Sequence, residues 1–569
     1  MPSRWPAILL LLISLFASAP GYINDDAVIS YRYAWNMARG YGPATWPGGP
    51  PEEGFSNPLL VWMAAAGAQA ARWTGANDST QLQAAITTGI LLNLLAAVAL
   101  LLLTARWSGI HDESKYQSGT VSGSVGTWIA PVVLALAYPL AWYIHSGLET
   151  PLIACLYTFM CAAWMTGRWK TGAVFGVAAA ATRPEGILIA ACVLVAACIA
   201  QSPGYSAQHR NTPIRGALIL VGGFALLVLW RWLTFDHLLP TPLLVKTRLA
   251  ERGVFDGRGW RYLIANLRAY PLFTALLIPA ALETLHFRRF RSYLPVTALI
   301  IAQTGFTIGV GGDEIHLGAS RFILPMLPVL CITGVCGIVR ISNGGLRRSL
   351  SVGLIVISFL YYNALEDHWR LRNDRFAARL AADPMTALQT QWNRWTHPRP
   401  WIDADAGRFM ASIVDRNGCD LAMASVQAGS LPIAWQGEFI DLIGLTTRAY
   451  AGRTNEEKDV QFELNPPDIV MAFRWEGGWF DVPSVAALKR TGFNPVILIR
   501  LHETIEEGMG NAEFVINFMV FVRDVRILTG LRQAMWDGEV AIAYTDGRDT
   551  IHHTVLLKNL CIHRGVVTQ

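Results

Sequence analysis

Apolar runs of membrane-spanning length recur along this chain from residue 5 to about residue 364 and then stop. Crossing a hydrocarbon layer as a helix takes about 17 to 25 mostly apolar residues, because each residue adds only about 1.5 Å of rise. Candidate runs cover 5–20, 82–105, 127–145, 149–166, a broken pair within 172–200, 216–234, 270–286, 293–311, 321–340 and 349–364, about eleven crossings in all. Only 15% of the residues are charged, against about 25% in soluble domains. The chain is therefore read as a polytopic α-helical membrane protein. The first run resembles a signal peptide, but it leads straight into further spans and is expected to be retained.

Arginine placement suggests an orientation, since short cytoplasmic loops are enriched in Lys and Arg. Putting Arg288, Arg289 and Arg291, and then Arg340, Arg347 and Arg348, on the inside leaves the loop 311–320 outside. The first loop, 21–81, and everything after residue 364 then also fall outside. Parity requires that Pro58–Trp73 lie along or dip into the membrane without crossing. The basic segment Lys246–Arg268 breaks the rule by falling outside, as though its charges met a ligand. A division follows into a membrane domain, 1–364, and an extracytoplasmic mixed α/β domain, 365–569. In the latter, strand-like runs at 420–426, 468–473, 495–501 and 514–522 are separated by Gly, Pro and charged turns.

The composition excludes several classes. The net charge of +5 is ordinary for a membrane protein with Arg-rich loops and implies no nucleic acid. Neither metal-ligand spacing nor a Gly-rich phosphate loop is present, so no cofactor is expected, although a divalent cation bridging carboxylates and phosphate stays compatible with the residues. Six of the eight cysteines lie in apolar runs. Cys419 and Cys561 would lie on the oxidising side, where a disulfide is allowed.

Chemistry is suggested first by Asn24-Asp25-Asp26-Ala27-Val28-Ile29-Ser30-Tyr31-Arg32, directly after the first span. Adjacent carboxylates at a membrane surface can take a proton from an acceptor hydroxyl. On a helix they point about 100° apart, so one would act and the other support it. The competing reading is a helix cap, where acid is also favoured. Arg183 and Glu185 flank Pro184 inside an apolar stretch, and ionisable groups there require partners or water. They form either an active-site wall or an ion pair fixing two helices. Lys246 and Arg248 suit a departing phosphate, with lipid headgroup attraction as the alternative. Glu149 suits acceptor hydroxyls or a helix start, Asp313 a substrate contact or a turn, and Arg321 a donor phosphate or a snorkelling anchor.

Several segments together resemble the GT-C membrane glycosyltransferases, with the mycobacterial terminal arabinofuranosyltransferases and their bacterial relatives as the nearest branch. They are Asp25–Ala34, Glu53–Leu59, Gly147–Pro151, Thr182–Gly186, Pro240–Lys246, Gly311–Asp313, Arg321–Pro325 and, late in the chain, Ile440–Thr446. Their order carries more than any one of them. The resemblance implies a polyprenyl-phosphate-linked sugar donor, a glycan or lipid acceptor of the cell envelope, and an inverting transfer on the outer face of the bacterial inner membrane. It implies that Asp25 or Asp26 is the base and that Lys246 stands at a family lysine position; read by their own chemistry, Lys246, Arg248 and Arg321 are expected to hold the donor phosphate and Glu149, Arg183, Glu185, Asp313 and Asp441 to line the substrate site. Thr241, Leu243 and the stretch 314–318 depart from the family pattern, which leaves the sugar open, with arabinofuranose the sugar the branch implies. The C-terminal domain is expected to serve acceptor recognition or support, with Asp441 either touching substrate or capping a turn. Competing classes are a transporter or flippase, a non-catalytic envelope-assembly subunit, and a transferase of another group.

Overall fold

The computed structural model describes residues 5–18, 23–110, 125–200, 212–245, 257–285, 290–312 and 321–364 except 342, together with 382–396. Beyond these it describes parts of 407–523 and a short hairpin within 541–554. Lys246, Arg248, Asp313, Cys419 and Cys561 lie outside the described residues.

The N-terminal part is helical. Helices α1 (Trp5–Ser18), α2 (Asp25–Arg39), α3 (Pro58–Trp73), α4 (Asp78–Ile110), α5 (Val125–Ala135) and α6 (Tyr138–Ser146) are followed by α7 (Thr150–Met165), α8 (Trp169–Thr182), α9 (Gly186–Ala200) and α10 (Thr212–Phe235). Then come α11 (Arg258–Ala269), α12 (Pro271–Thr284), α13 (Phe290–Val310), α14 (Leu327–Val339) and α15 (Gly344–Ala364).

Among the described residues, three helical stretches are long and apolar enough to cross a membrane: Asp78–Trp107, Pro213–Phe235 and Phe290–Val310. The number rises to five if two bent pairs, α5 with α6 and α11 with α12, each count as one span. These pairs bend by 52° and 95° at their breaks. The sequence reading placed a broken pair within 172–200, and the break is there. At 172–200 the chain leaves α8 at Thr182, passes Pro184 in a turn and restarts at Gly186. Proline lacks the amide hydrogen that a continuing helix needs there. A Cβ at Gly186 would lie 2.4 Å from the Ala179 carbonyl, so only glycine lets the two helices meet this closely. Leu324–Val339, Thr150–Met165 and Gly186–Ala200 remain shorter apolar helices. Such helices and spans make this an integral membrane protein. Helix α3, at 16 residues, packs against α2 and α4.

The C-terminal part is built on a six-stranded sheet in the order β2-β1-β3-β6-β5, with β4 paired to β3. Strands β1 (Met423–Ser425), β2 (Phe439–Asp441) and β3 (Ile469–Trp475) are mutually parallel, and β5 (Asn494–Glu507) and β6 (Gly510–Val522) join antiparallel to β3 through β6. The short β4 is Gly478–Trp479. The expected strand-like runs correspond to β1, β3, β5 and β6, and the last two continue well beyond the apolar segments that announced them. Strand β2, with its turn at 441–446, occupies the sheet edge, and its core residues Phe439, Ile440 and Leu442 are buried with those of β1 and β3.

Candidate active site

Helix α2 starts at the acidic pair, but neither aspartate is its cap. Asn24 takes that role, its side-chain oxygen accepting from the Asp26 amide at 3.0 Å. Asp25 and Asp26 occupy the first turn, where the helix dipole favours negative charge. Gly40 closes the helix at φ +93°, a left-handed position that glycine adopts without a Cβ penalty.

A net of buried hydrogen bonds fixes this helix head against two other segments. The Asn24 amide donates to the Ser146 carbonyl at 3.0 Å, and the Tyr31 hydroxyl donates to the Gly147 carbonyl at 2.7 Å. Ser30 donates to Asn57 Oδ1 at 2.8 Å, and the Asn57 amide nitrogen donates to Glu149 Oε2 at 3.0 Å. Gly54 fits where a Cβ would lie 2.5 Å from the Tyr33 hydroxyl and 2.8 Å from the Thr446 backbone. The first loop is pinned from below as well, because Arg231 of α10 donates through Nε to both oxygens of Glu53 at 2.9 and 3.0 Å. Both side chains are almost fully buried, and burial pushes the Glu53 carboxyl up to about 7 against the opposing charge of Arg231. The Thr241 amide donates to the Glu53 carbonyl, which ties the segment at 240–245 to the same loop.

At the centre of this framework, charged residues from four separate segments meet. Arg321 places one guanidinium nitrogen 2.8 Å from Asp26 Oδ2 and another 3.7 Å from Glu149 Oε1. Arg183 lies 2.6 Å from Glu185 and 3.9 Å from Glu149, with its guanidinium 4.8 Å from the centre of the Phe322 ring. Arg183, Glu185, Glu149 and Arg321 are all buried, yet they line a cavity of about 110 Å³ with Ser56, Leu243, Phe306 and Phe322. Carboxylates and guanidinium groups around an apolar ring wall are suited to a hydroxyl-rich group with an anionic neighbour. The Arg183–Glu185 pair thus joins the turn between α8 and α9 and also forms a wall of the cavity.

Asp25 takes its partner from the far end of the chain. Its Oδ1 accepts from the Ser430 amide of the C-terminal part at 2.6 Å. Burial, with the neighbouring Asp26 adding to it, raises the Asp25 carboxyl to about 6 against the lowering effect of the Ser430 hydrogen bonds. One helical face further on, Arg32 is 3% exposed and stacks 5.6 Å from the centre of the Phe439 ring. Among the described residues, none of its three guanidinium nitrogens has a hydrogen-bond acceptor.

Among the described residues, the Asp441 carboxylate accepts hydrogen bonds from its own turn alone. Oδ1 accepts from the Ile443 amide at 2.9 Å, Oδ2 from the Thr446 amide at 2.8 Å, and the Asp441 amide itself is donated to the Thr447 hydroxyl. Burial raises its carboxyl, and these amides oppose the rise. The carboxylate shapes the turn that faces Gly54 and Tyr33, and its own oxygens stay within that turn. Of the residues expected at the site, the structure brings together Asp26, Arg321, Glu149, Arg183 and Glu185, with Asp25 alongside. Among the described residues, no group of three or more His, Cys, Asp or Glu is arranged to hold a metal ion.

Four contributors carried no role in the sequence reading: Asn57, Arg231, Arg32 and the Gly429–Ser430 step. Arg231 had a signal of its own, as a charge inside an apolar run that had to be answered by a partner. Ala428-Gly429-Ser430-Leu431-Pro432 reads only as a turn, and nothing in it points to Asp25.

No protein-family model matches the chain, and no curated protein matches it. Among solved structures, it is similar to the crystal structure of ArnT from Cupriavidus metallidurans in the apo state, at 14% identity and a TM-score of 0.49, covering 92% of this chain and 98% of that one. At that identity and TM-score the likeness assigns no activity to this chain.

Proposed function

We propose that this protein is a membrane glycosyltransferase that moves a sugar from a polyprenyl phosphate to a hydroxyl of a cell-envelope glycan or lipid, on the extracytoplasmic face and with inversion. The observation that carries this reading is the convergence of Arg321, Glu149, Arg183 and Glu185 on one cavity at the ends of apolar helices, with Asp26 paired to Arg321 and a second aspartate of raised pKa beside it. The motif order that resembles the GT-C enzymes supports it independently.

The two aspartates divide the work. A general base is most effective when its pKa lies near the working pH, which favours Asp25, raised to about 6. Asp26, held 2.8 Å from a guanidinium, serves to orient Arg321. In the transfer, the acceptor hydroxyl loses its proton to Asp25 and its oxygen forms the bond to the anomeric carbon. The bond from that carbon to the phosphate oxygen breaks on the opposite face, and the polyprenyl phosphate leaves with the electron pair. A single displacement of this kind inverts the anomeric centre. Arg321, joined by Lys246 and Arg248, stabilises charge on the leaving phosphate. Glu149, Glu185 and Arg183 hold sugar hydroxyls, with Phe322 and Leu243 against the apolar face. Arabinofuranose is the sugar we propose, and Asp313 is a further substrate contact.

The test is glycan analysis by mass spectrometry in a deletion strain. A terminal sugar should be missing, restored by the wild-type gene and not by an Asp25→Ala, Asp26→Ala double variant that inserts normally. Full restoration by that variant would refute the mechanism. The bent helix pairs favour one alternative, a transporter, because transporters use broken helices around a mid-membrane site. Lipid-linked sugar flux across proteoliposomes without any glycosidic product would decide for it.

A further inference from the structure

The C-terminal part meets the head of α2 at one point of unusual closeness. A Cβ built on Gly429 would lie 2.1 Å from the Asp25 carbonyl oxygen and 2.6 Å from its carboxyl group. Any other residue at 429 forces the two segments apart, so the glycine exists to let the next amide reach the carboxylate. That amide, Ser430 N–H, stands 2.6 Å from Asp25 Oδ1 and precedes the short 3-10 turn Leu431–Ile433. The surrounding face is shared in the same way. Arg32, seven residues after Asp25 on α2, stacks on Phe439 of β2 and feels the charges of both Asp25 and Asp441. Leu431, Ile433 and Phe439 are buried in the same core cluster as Ala27, Val28 and Tyr31.

We infer that the C-terminal domain is a working part of the catalytic site, in which Gly429 and Ser430 are positioning residues that hold the Asp25 carboxylate through the Ser430 amide. The inference rests on the transferase reading and goes beyond acceptor recognition. It assigns to the far end of the chain the geometry and basicity of the proposed base. An amide donated to a carboxylate favours its ionised form, so the contact sets the pH at which Asp25 becomes competent. The charged groups that bear on it are Asp26 and Arg32 from α2. Asp441 bears on Arg32 from the sheet edge.

Two measurements on the full-length protein decide the matter. In the first, hydrogen–deuterium exchange at the 428–433 segment is compared between wild type and Asp25→Ala. Loss of the acceptor should speed exchange of the Ser430 amide about tenfold or more. Equal exchange in the two proteins would overturn the contact, whatever the protein's activity. In the second, Gly429→Ala is assayed in membranes. Turnover should fall about tenfold to a hundredfold, as expected for a displaced catalytic group, with the donor KM nearly unchanged and the acid limb of the pH profile moved to higher pH. Ser430→Ala, which keeps the N–H and loses only the hydroxyl, should give a smaller change of the same sign. Wild-type turnover and pH profile in Gly429→Ala would overturn the inference. A wild-type chain that transfers no sugar would instead defeat the functional reading, while the exchange measurement would still report on the contact.

Discussion

The edge of the C-terminal sheet and the head of α2 each present acidic residues that look alike in the sequence, and the fold treats them in opposite ways. At the sheet edge, Asp441 gives its oxygens to amides two and five residues ahead. At the helix head, the partner of Asp26 lies 295 residues away in Arg321, and that of Asp25 lies 405 residues away in Ser430. A carboxylate satisfied by its own turn is a local structural device, which Asp favours because its short side chain reaches nearby backbone. One whose partners arrive only after the whole chain has folded reports, through those partners, what the fold assembles there. The arginine that meets Asp26 also lines a cavity, whereas the Asp441 turn backs against packed residues.

The contrast breaks most visibly at Asp25. Asp25→Asn is expected to lower transfer by about 10²- to 10⁴-fold, the usual contribution of a positioned base, with insertion and thermal stability preserved. The pH profile of the wild type follows from the raised pKa. The base works only when ionised, so activity should be lost as pH falls through about 6 and should be flat above it. A plateau extending well below pH 5 would remove Asp25 from the mechanism and leave Asp26 as the base.

Arg321 comes next. Removing a donor aimed at developing negative charge costs about 10²- to 10³-fold in rate, so Arg321→Ala should fall in that range when initial rates are measured with saturating donor. Arg321→Lys should recover only part, because an ammonium cannot span Asp26 and Glu149 as the planar fork does. Equal activity of Arg321→Ala and wild type would reduce the cluster to an ion-pair clasp between helices.

How much of this arrangement the sequence disclosed depended on whether a signal was local. Arg183-Pro184-Glu185 announced both a break and a need for partners, because proline and charge inside an apolar run are expensive wherever they occur. The apolar runs likewise announced a membrane protein. What they could not announce was the bend between α5 and α6 inside the run 127–145, since Leu136 and Ala137 at the break are as apolar as the residues before them. The Asp25–Ser430 and Asp26–Arg321 contacts were invisible because each depends on the packing of everything between. Resemblance to a known motif drew attention to both aspartates, yet only geometry separated their surroundings. For Asp441 the sequence left a turn cap and a substrate contact equally open, and its hydrogen bonds are those of a cap.

A third perturbation acts on the framework. Arg231→Ala would leave the Glu53 carboxylate, which has no solvent exposure, without its counter-charge. Stranding one partner of a buried ion pair costs about 3–5 kcal/mol, and thermal unfolding in detergent should show a corresponding fall in Tm. The double variant Arg231→Met, Glu53→Gln removes both charges and should recover much of that loss. If the double variant is as unstable as the single one, the pair is held for its shape and its charge matters little.

The smallest effect is expected at the sheet edge. Asp441→Ala deprives the Ile443 and Thr446 amides of their acceptor, and an unsatisfied buried donor costs about 1–3 kcal/mol. Because the turn it shapes touches Gly54, some of this loss will be felt as looser packing between the sheet edge and the first loop. Activity per folded molecule should nevertheless stay close to wild type, since no reacting group depends on the Asp441 oxygens. Asp441→Asn, which keeps one acceptor oxygen, should lie between the two in stability and match wild type in rate. Stability by thermal unfolding and turnover normalised to folded protein separate the two quantities. A variant at 441 that melts like wild type and fails to transfer sugar would place Asp441 in the substrate site and erase the distinction between the two regions.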